Sequence, residues 1–98
     1  MPYFLLERHK VQDYDKWKAV FDEDTDNRAA SGSRGARIFR NADDPTELVV
    51  LFEWESLEMA HERVGSEALG QKFEEAGVAE GVGRTGFRFL EEAGRVRA

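Results

Sequence analysis

Apolar and polar positions along this 98-residue chain follow two periods, and the period switches from one to the other along the chain. "YFLLERHKV", residues 3 to 11, is short, opens on β-forming residues and reads as a first strand. Asp13 then offers an N-cap, and Asp15 places a negative charge in the first turn of a helix. Tyr14, Trp17, Val20 and Phe21 recur at helical spacing as one apolar stripe. Extended, the stripe meets Asp24 and Arg28, an i,i+4 pair in the favourable order. The helix is expected to stop near Gly32, with Gly35 keeping the connection flexible.

"ARIFRNA", residues 36 to 42, reads as a second strand, "DDP" (Asp43 to Pro45) as a turn, and "TELVVLFEWE", residues 46 to 55, as a third strand. A connection that short makes the two an antiparallel hairpin. Ser56 caps a second helix carrying Leu57, Ala60, His61 and Val64. Gly65 and Ser66 interrupt it, and it restarts through Leu69 and Phe73. Gly77 supplies a left-handed stop, with Val78 making the hydrophobic contact beyond it. "GVAEGVGRTG", residues 77 to 86, reads as a loop, "FRFLEE", within residues 84 to 92, as the last strand, and the tail after Gly94 as loose. The order β-α-β-β-α-β predicts an α+β, ferredoxin-like domain over residues 1–98, with a four-stranded antiparallel sheet and its helices on one face.

Strand parity then separates two faces. Leu48, Val50, Phe52 and Trp54 share the face that belongs under the helices, whereas Glu47, Val49, Leu51, Glu53 and Glu55 share the other. The second face is apolar in its middle, and Phe87, Phe89 and Leu90 make the last strand apolar on both sides. A sheet face open to water should be more polar than this. A homodimer with two sheets packed face to face is the expectation. Glu53 then sits at the dimer rim, paired with Arg37 or Arg40.

Composition narrows the chemistry. The chain has no cysteine, which excludes disulfides, thiolate catalysis and Cys-ligated metals. Its net charge of −6 repels nucleic acid and anionic lipid, and no basic stripe overrides that balance. Asp22, Glu23, Asp24 and Asp26 form the densest acidic cluster, read as a solvated helix face. No apolar run approaches the roughly 18 residues of a membrane span, residues 1–10 lack a secretory pattern, and a cytoplasmic location is expected.

Few residues are chemically equipped to act. His61, on the stripe expected to face Phe52 and Trp54, is a candidate general base, because imidazole titrates near neutrality. His9 is the other candidate; either it or Arg8 must face the helices if the first strand is regular. Arg88 could bind a carboxylate or neutralise a developing oxyanion, or equally pair with a glutamate across the sheet. Trp17, Phe21, Phe52, Trp54 and Phe73 would line an aromatic pocket, or simply form the core. Two histidines in separate elements make a metal site improbable, no Gly-rich phosphate loop follows a strand, and Ser31, Ser33, Ser56 and Ser66 read as turns or caps.

The element order, the open sheet face and "LFEWESLEMAH" at the third strand and second helix together resemble the antibiotic biosynthesis monooxygenase-like group of dimeric α+β barrel proteins. "VQDYDKWKAVFDE" is similar to the first-helix entry of a small-protein branch of that class. The resemblance spans residues 3 to 92 and implies a barrel-forming dimer with a small-molecule cavity between sheet and helices in each protomer. It further implies either cofactor-independent oxygenation of an aromatic or polyketide-like compound, or a non-catalytic binding or stress-related module using the same cavity. Trp54 matches the family's strand-end tryptophan. Haem-degrading members carry a Trp, a His and an Asn where this chain has Arg63, Phe73 and the Glu7–Arg8 region, which disfavours haem chemistry. A third possibility is a structural dimer whose pocket its own aromatics fill.

Overall fold

A computed structural model describes residues 3–77 and 87–97. Strand β1 (Tyr3–Lys10) and strand β3 (Glu47–Trp54) run antiparallel at the centre of one sheet, with Leu5 opposite Phe52 and His9 opposite Leu48. The pleat buries alternate residues of both strands: Leu5, Glu7 and His9 on β1, and Leu48, Val50, Phe52 and Trp54 on β3. Strands β2 (Ser33–Arg40) and β4 (Arg88–Glu91) complete the order β2-β3-β1-β4, with every pairing antiparallel. This is the ferredoxin-like α+β arrangement that the periodicity predicts.

Helix α1 (Tyr14–Glu23) starts as expected, with the Asp13 carboxylate accepting from the backbone N–H groups of Asp15 and Lys16. It does not run unbroken to Gly32. The chain turns at Asp24 (φ −86°, ψ 3°) and resumes as helix α2 (Thr25–Ala30), with the Asp24 side chain directed inward. β2 begins at Ser33, three residues before the apolar pattern does, because a bulge between Ser33 and Gly35 absorbs the irregular start. In the β2–β3 turn, Asp44 accepts from Lys10 and from the hydroxyl and amide of Thr46. Those contacts, that of Lys10 foremost, hold its carboxyl at about 2.

Ser56 caps helix α3 (Leu57–Val64) through the Met59 N–H, and Ser66 caps helix α4 (Glu67–Ala76) through the Leu69 N–H. Gly77 closes α4 in the left-handed region at φ 74°; the expected Val78 contact and the rest of the predicted loop lie outside the described residues. α1 packs on α4, and α3 meets β1 and β3. The core is the helix-facing row of the sheet with Trp17, Ala60, Leu69, Ala76 and Phe87.

Gly32, between α2 and β2, is buried at φ 111°, and a Cβ there would stand 2.9 Å from Met59 Sδ. Strain and overlap act together, so Gly32→Ala is expected to lower stability by about 1–3 kcal/mol. A urea midpoint that does not move would show that this turn relaxes freely.

The opposite sheet face carries Phe4, Leu6, Val49 and Leu51, half-buried, with Phe39 and Leu90 at its margins, 45% and 40% exposed. Glu53 lies on this face, away from Trp54, as does Arg37, one of its two expected partners, whereas Arg40 does not. Arg40 is on the helix side with its guanidinium over Tyr14, and Arg37 sits beside Leu51, with its guanidinium 5.3 Å from the Phe39 ring centroid. Among the described residues, Glu53 makes no ion pair. Nor is any helix among them long and apolar enough to cross a membrane.

Candidate functional site

Between the helices and the centre of the sheet lies a cavity with about 40 Å³ of free volume. β1 contributes Glu7 and His9, α1 contributes Trp17, Val20 and Phe21, and β3 contributes Phe52 and Trp54. Asp24 and Arg28 close one end, Arg63 of α3 reaches in beside them, and Leu69, Lys72, Phe73 and Ala76 of α4 form the roof. Trp17 stacks on Phe21 with ring centroids 4.7 Å apart, and Phe21 meets Phe52 at 5.9 Å.

Six polar or charged side chains, Glu7, His9, Asp24, Arg28, Arg63 and Lys72, are held in this otherwise apolar space. Glu7 and His9, two apart on β1, share the inward face, and Glu7 Oε1 lies 3.2 Å from His9 Nε2. Their side chains are 5% and 2% exposed. An ionised carboxylate only accepts hydrogen bonds, so Nε2 is the donor to Glu7, and in the neutral imidazole Nδ1 keeps its lone pair. Nδ1 is buried with no hydrogen-bond partner among the described residues, and the same holds for the indole Nε1 of Trp54. Phe73 and Phe87 brace the imidazole edge-on, at centroid distances of 5.0 and 6.2 Å.

At the other end, Asp24 accepts from Arg63 Nη2 and from Asn27 Nδ2, and Arg28 Nη1 lies 3.9 Å away. Arg28 is also pinned over the Phe21 ring, 3.7 Å from its centroid, and donates to the Phe21 carbonyl at 2.6 Å. Burial lowers the Arg28 guanidinium below its ordinary value; the charge of Asp24 opposes this and that of Arg63 adds to it. Phe21 and Arg28 also form part of the wall of a neighbouring groove of about 310 Å³ against the start of β2.

The structure therefore sorts the sequence candidates. His9 faces the cavity and Arg8 faces out, where it pairs with Glu47 at 2.7 Å. Trp17, Phe21, Phe52, Trp54 and Phe73 come together around the space. His61 does not join them. It is exposed and lies flat on Phe89 of β4, 3.7 Å between centroids, because α3 is rotated so that Arg63 joins Ala60 on the inward side and His61 leaves it. Arg88 does not join them either: it is opposite Leu6, whose other neighbour is Leu51, so it belongs to the open sheet face. The reading of Asp22–Asp26 as a uniformly solvated face needs correction at Asp24, which is 4% exposed and ion-paired. Sequence reasoning missed Glu7, Asp24, Arg28 and Arg63 as site residues. The available signals were the parity that Glu7 shares with His9 and the position of Asp24 and Arg28 on the α1 stripe. No group of three or more His, Cys, Asp or Glu that could hold a metal ion occurs among the described residues.

No protein-family model and no curated protein sequence matches the chain. Solved structures do. The Rv0793 protein of Mycobacterium tuberculosis superposes with a TM-score of 0.63 at 21% identity, covering 99% of this chain and 100% of that one. An antibiotic biosynthesis monooxygenase candidate from Bordetella bronchiseptica gives 0.70 at 14% identity, covering 97% and 98%. A mutant form of SnoaB, a cofactor-independent oxygenase from Streptomyces nogalater, gives 0.71 at 12% identity, covering 99% and 98%. Over nearly its whole length, this chain carries the α+β fold of the antibiotic biosynthesis monooxygenase-like structures.

Proposed function

We propose that the chain is a cytoplasmic, homodimeric oxygenase of a small aromatic compound, with no cofactor required and His9 as its general base. The Glu7–His9 pair carries this reading: a buried carboxylate fixes the imidazole tautomer, and the free Nδ1 belongs to a residue of an aromatic cavity. Proton removal from an activated CH₂ of a phenolic substrate leaves a carbanion electron-rich enough to react with dioxygen. The balance R₂CH₂ + O₂ → R₂C=O + H₂O closes with the substrate supplying every electron. Trp17, Phe21, Phe52, Trp54 and Phe73 would pack the ring, and Arg63, rather than Arg88, would meet developing negative charge.

A binding module without turnover is favoured by one observation. The free volume of about 40 Å³ is well under the ~150 Å³ cavity known to accept benzene, so a ring enters only when the walls part. Phe21 and Arg28, shared with the adjoining groove, are the walls whose movement would enlarge the space. Oxygen uptake with an anthrone probe, which carries such a CH₂, separates the two readings. Wild type and His61→Ala should consume oxygen alike and His9→Gln should not; no uptake by the wild type sinks the oxygenase reading, and uptake unaffected by His9→Gln removes His9 as its base.

The dimer rests on the apolar open face around Leu51 and Leu6. Leu51→Asp would bury an unpaired carboxylate between the sheets and should weaken association by about a hundredfold or more. Light scattering after size exclusion reads the result directly. An unchanged mass would remove sheet-to-sheet pairing from the proposal.

A further inference from the structure

We infer that the ligand of this cavity is a hydroxylated aromatic acid bound as its anion, recognised by Arg63 and the Trp54 indole; the inference deepens the proposal that the cavity is a small-molecule site and rests on it. Three observations converge.

The first is charge. The chain as a whole carries −6, yet the cavity is lined by the cations Arg28, Arg63 and Lys72 against the carboxylates Glu7 and Asp24. Glu7 is committed to His9, and Lys72 has only a surface contact with Glu75 at 3.3 Å, a kind of pair worth little. Arg28 and Arg63 share the single carboxylate of Asp24, so the corner they form carries cationic excess inside an acidic protein.

The second is donor geometry. Arg63 has a side chain only 8% exposed, and its hydrogen bond to Asp24 through Nη2 occupies one of the five N–H donors a guanidinium presents. Trp54 is 2% exposed, and its Nε1–H finds no acceptor among the described residues. A buried indole N–H without a partner costs free energy unless a ligand satisfies it, and an anionic oxygen satisfies it best. The third is His9. With Nε2 held by Glu7, its Nδ1 needs a donor, which a ligand hydroxyl provides. Ring, anion and hydroxyl together define the class, and the stacked aromatics define the ring's slot.

The test compares three probes on the full chain: 4-hydroxybenzoate, its neutral isostere 4-hydroxybenzamide, and benzoate, which lacks the hydroxyl. Both tryptophans of the chain line the cavity, so quenching of intrinsic fluorescence reports occupancy of this site, and calorimetry gives the affinities. 4-Hydroxybenzoate should bind at least about tenfold more tightly than the amide and more tightly than benzoate, and Arg63→Gln should bring the acid-to-amide ratio close to one. The wild-type ratio is read without any variant, so a failure of Arg63→Gln to fold leaves the test intact. An amide that binds as well as the acid overturns the anion inference while leaving the cavity reading standing. The anion inference also falls, and the cavity reading survives, if none of the three binds while a neutral aromatic is still oxygenated. Absence of both quenching and oxygen uptake with every probe overturns both.

Discussion

Asp24→Ala is expected to lower the unfolding free energy by about 3–5 kcal/mol, the range for stranding one partner of a buried ion pair. Without Asp24, the Arg63 guanidinium, 8% exposed, keeps its charge beside that of Arg28 and loses the acceptor that offsets its desolvation. The Asn27 amide loses its acceptor as well. A domain of this size typically has about 5–15 kcal/mol in total, so the loss is a large share of what holds it folded. Asp22, on the same acidic run, supplies the internal control. Its pair with Lys18 is 58% and 37% exposed, and pairs of that kind contribute about 0–1 kcal/mol. Urea titration of Asp24→Ala and Asp22→Ala should therefore separate by several-fold. Replacing Asp24 and Arg63 together by leucine should restore part of the loss, because the desolvation penalty of that pair leaves with its charges while Arg28 stays without its counter-charge. If Asp24→Ala costs no more than Asp22→Ala, the pair is not formed in solution.

That contrast also shows where the sequence could be read and where it could not. The fold was legible because the helical stripes and strand runs are well bounded: Leu48, Val50, Phe52 and Trp54 give β3 one wholly apolar face with Glu47 and Glu53 on the other, and Asp13, Ser56, Ser66 and Gly77 mark helix ends by side-chain and backbone chemistry. The site was harder to read because it is made of residues that ordinarily face water. Asp24 continues the stripe of Trp17, Val20 and Phe21, but its neighbours Asp22, Glu23 and Asp26 make the run look solvated. α3 is eight residues long, and its apolar positions fit two rotations. One centres on Leu57, Ala60, His61 and Val64, the other keeps Ala60 inward but turns Arg63 in and His61 out; apolar content favours the first, while the ion pair of Arg63 with Asp24 favours the second. A partner 39 positions away in sequence leaves no periodic trace. The parity of β1 did place Glu7 and His9 together, and only the choice between His9 and Arg8 needed three dimensions. Arg8 is drawn outward by Glu47 on the neighbouring strand.

The same pairing on β1 gives the second large effect. His9→Gln and Glu7→Gln are each expected to reduce turnover by roughly 10²–10⁴-fold, the contribution of a positioned general base. Glutamine at position 9 cannot take up the proton. At position 7 the cause is indirect: an amide can donate to Nε2, which moves the imidazole proton onto Nδ1 and removes the lone pair from the nitrogen that Glu7 leaves free. Glu7 touches His9 and acts as its positioning residue, so Glu7→Gln should lower kcat while the affinity for an aromatic probe, read from tryptophan fluorescence, changes little. Groups that act as a unit are not additive, and the double variant should be no slower than the slower single one. Losses that multiply would mean that Glu7 contributes independently of the imidazole. Glu7→Gln with full kcat would mean that the tautomer is set by something other than this carboxylate, and the base assignment of His9 would then lose its structural support.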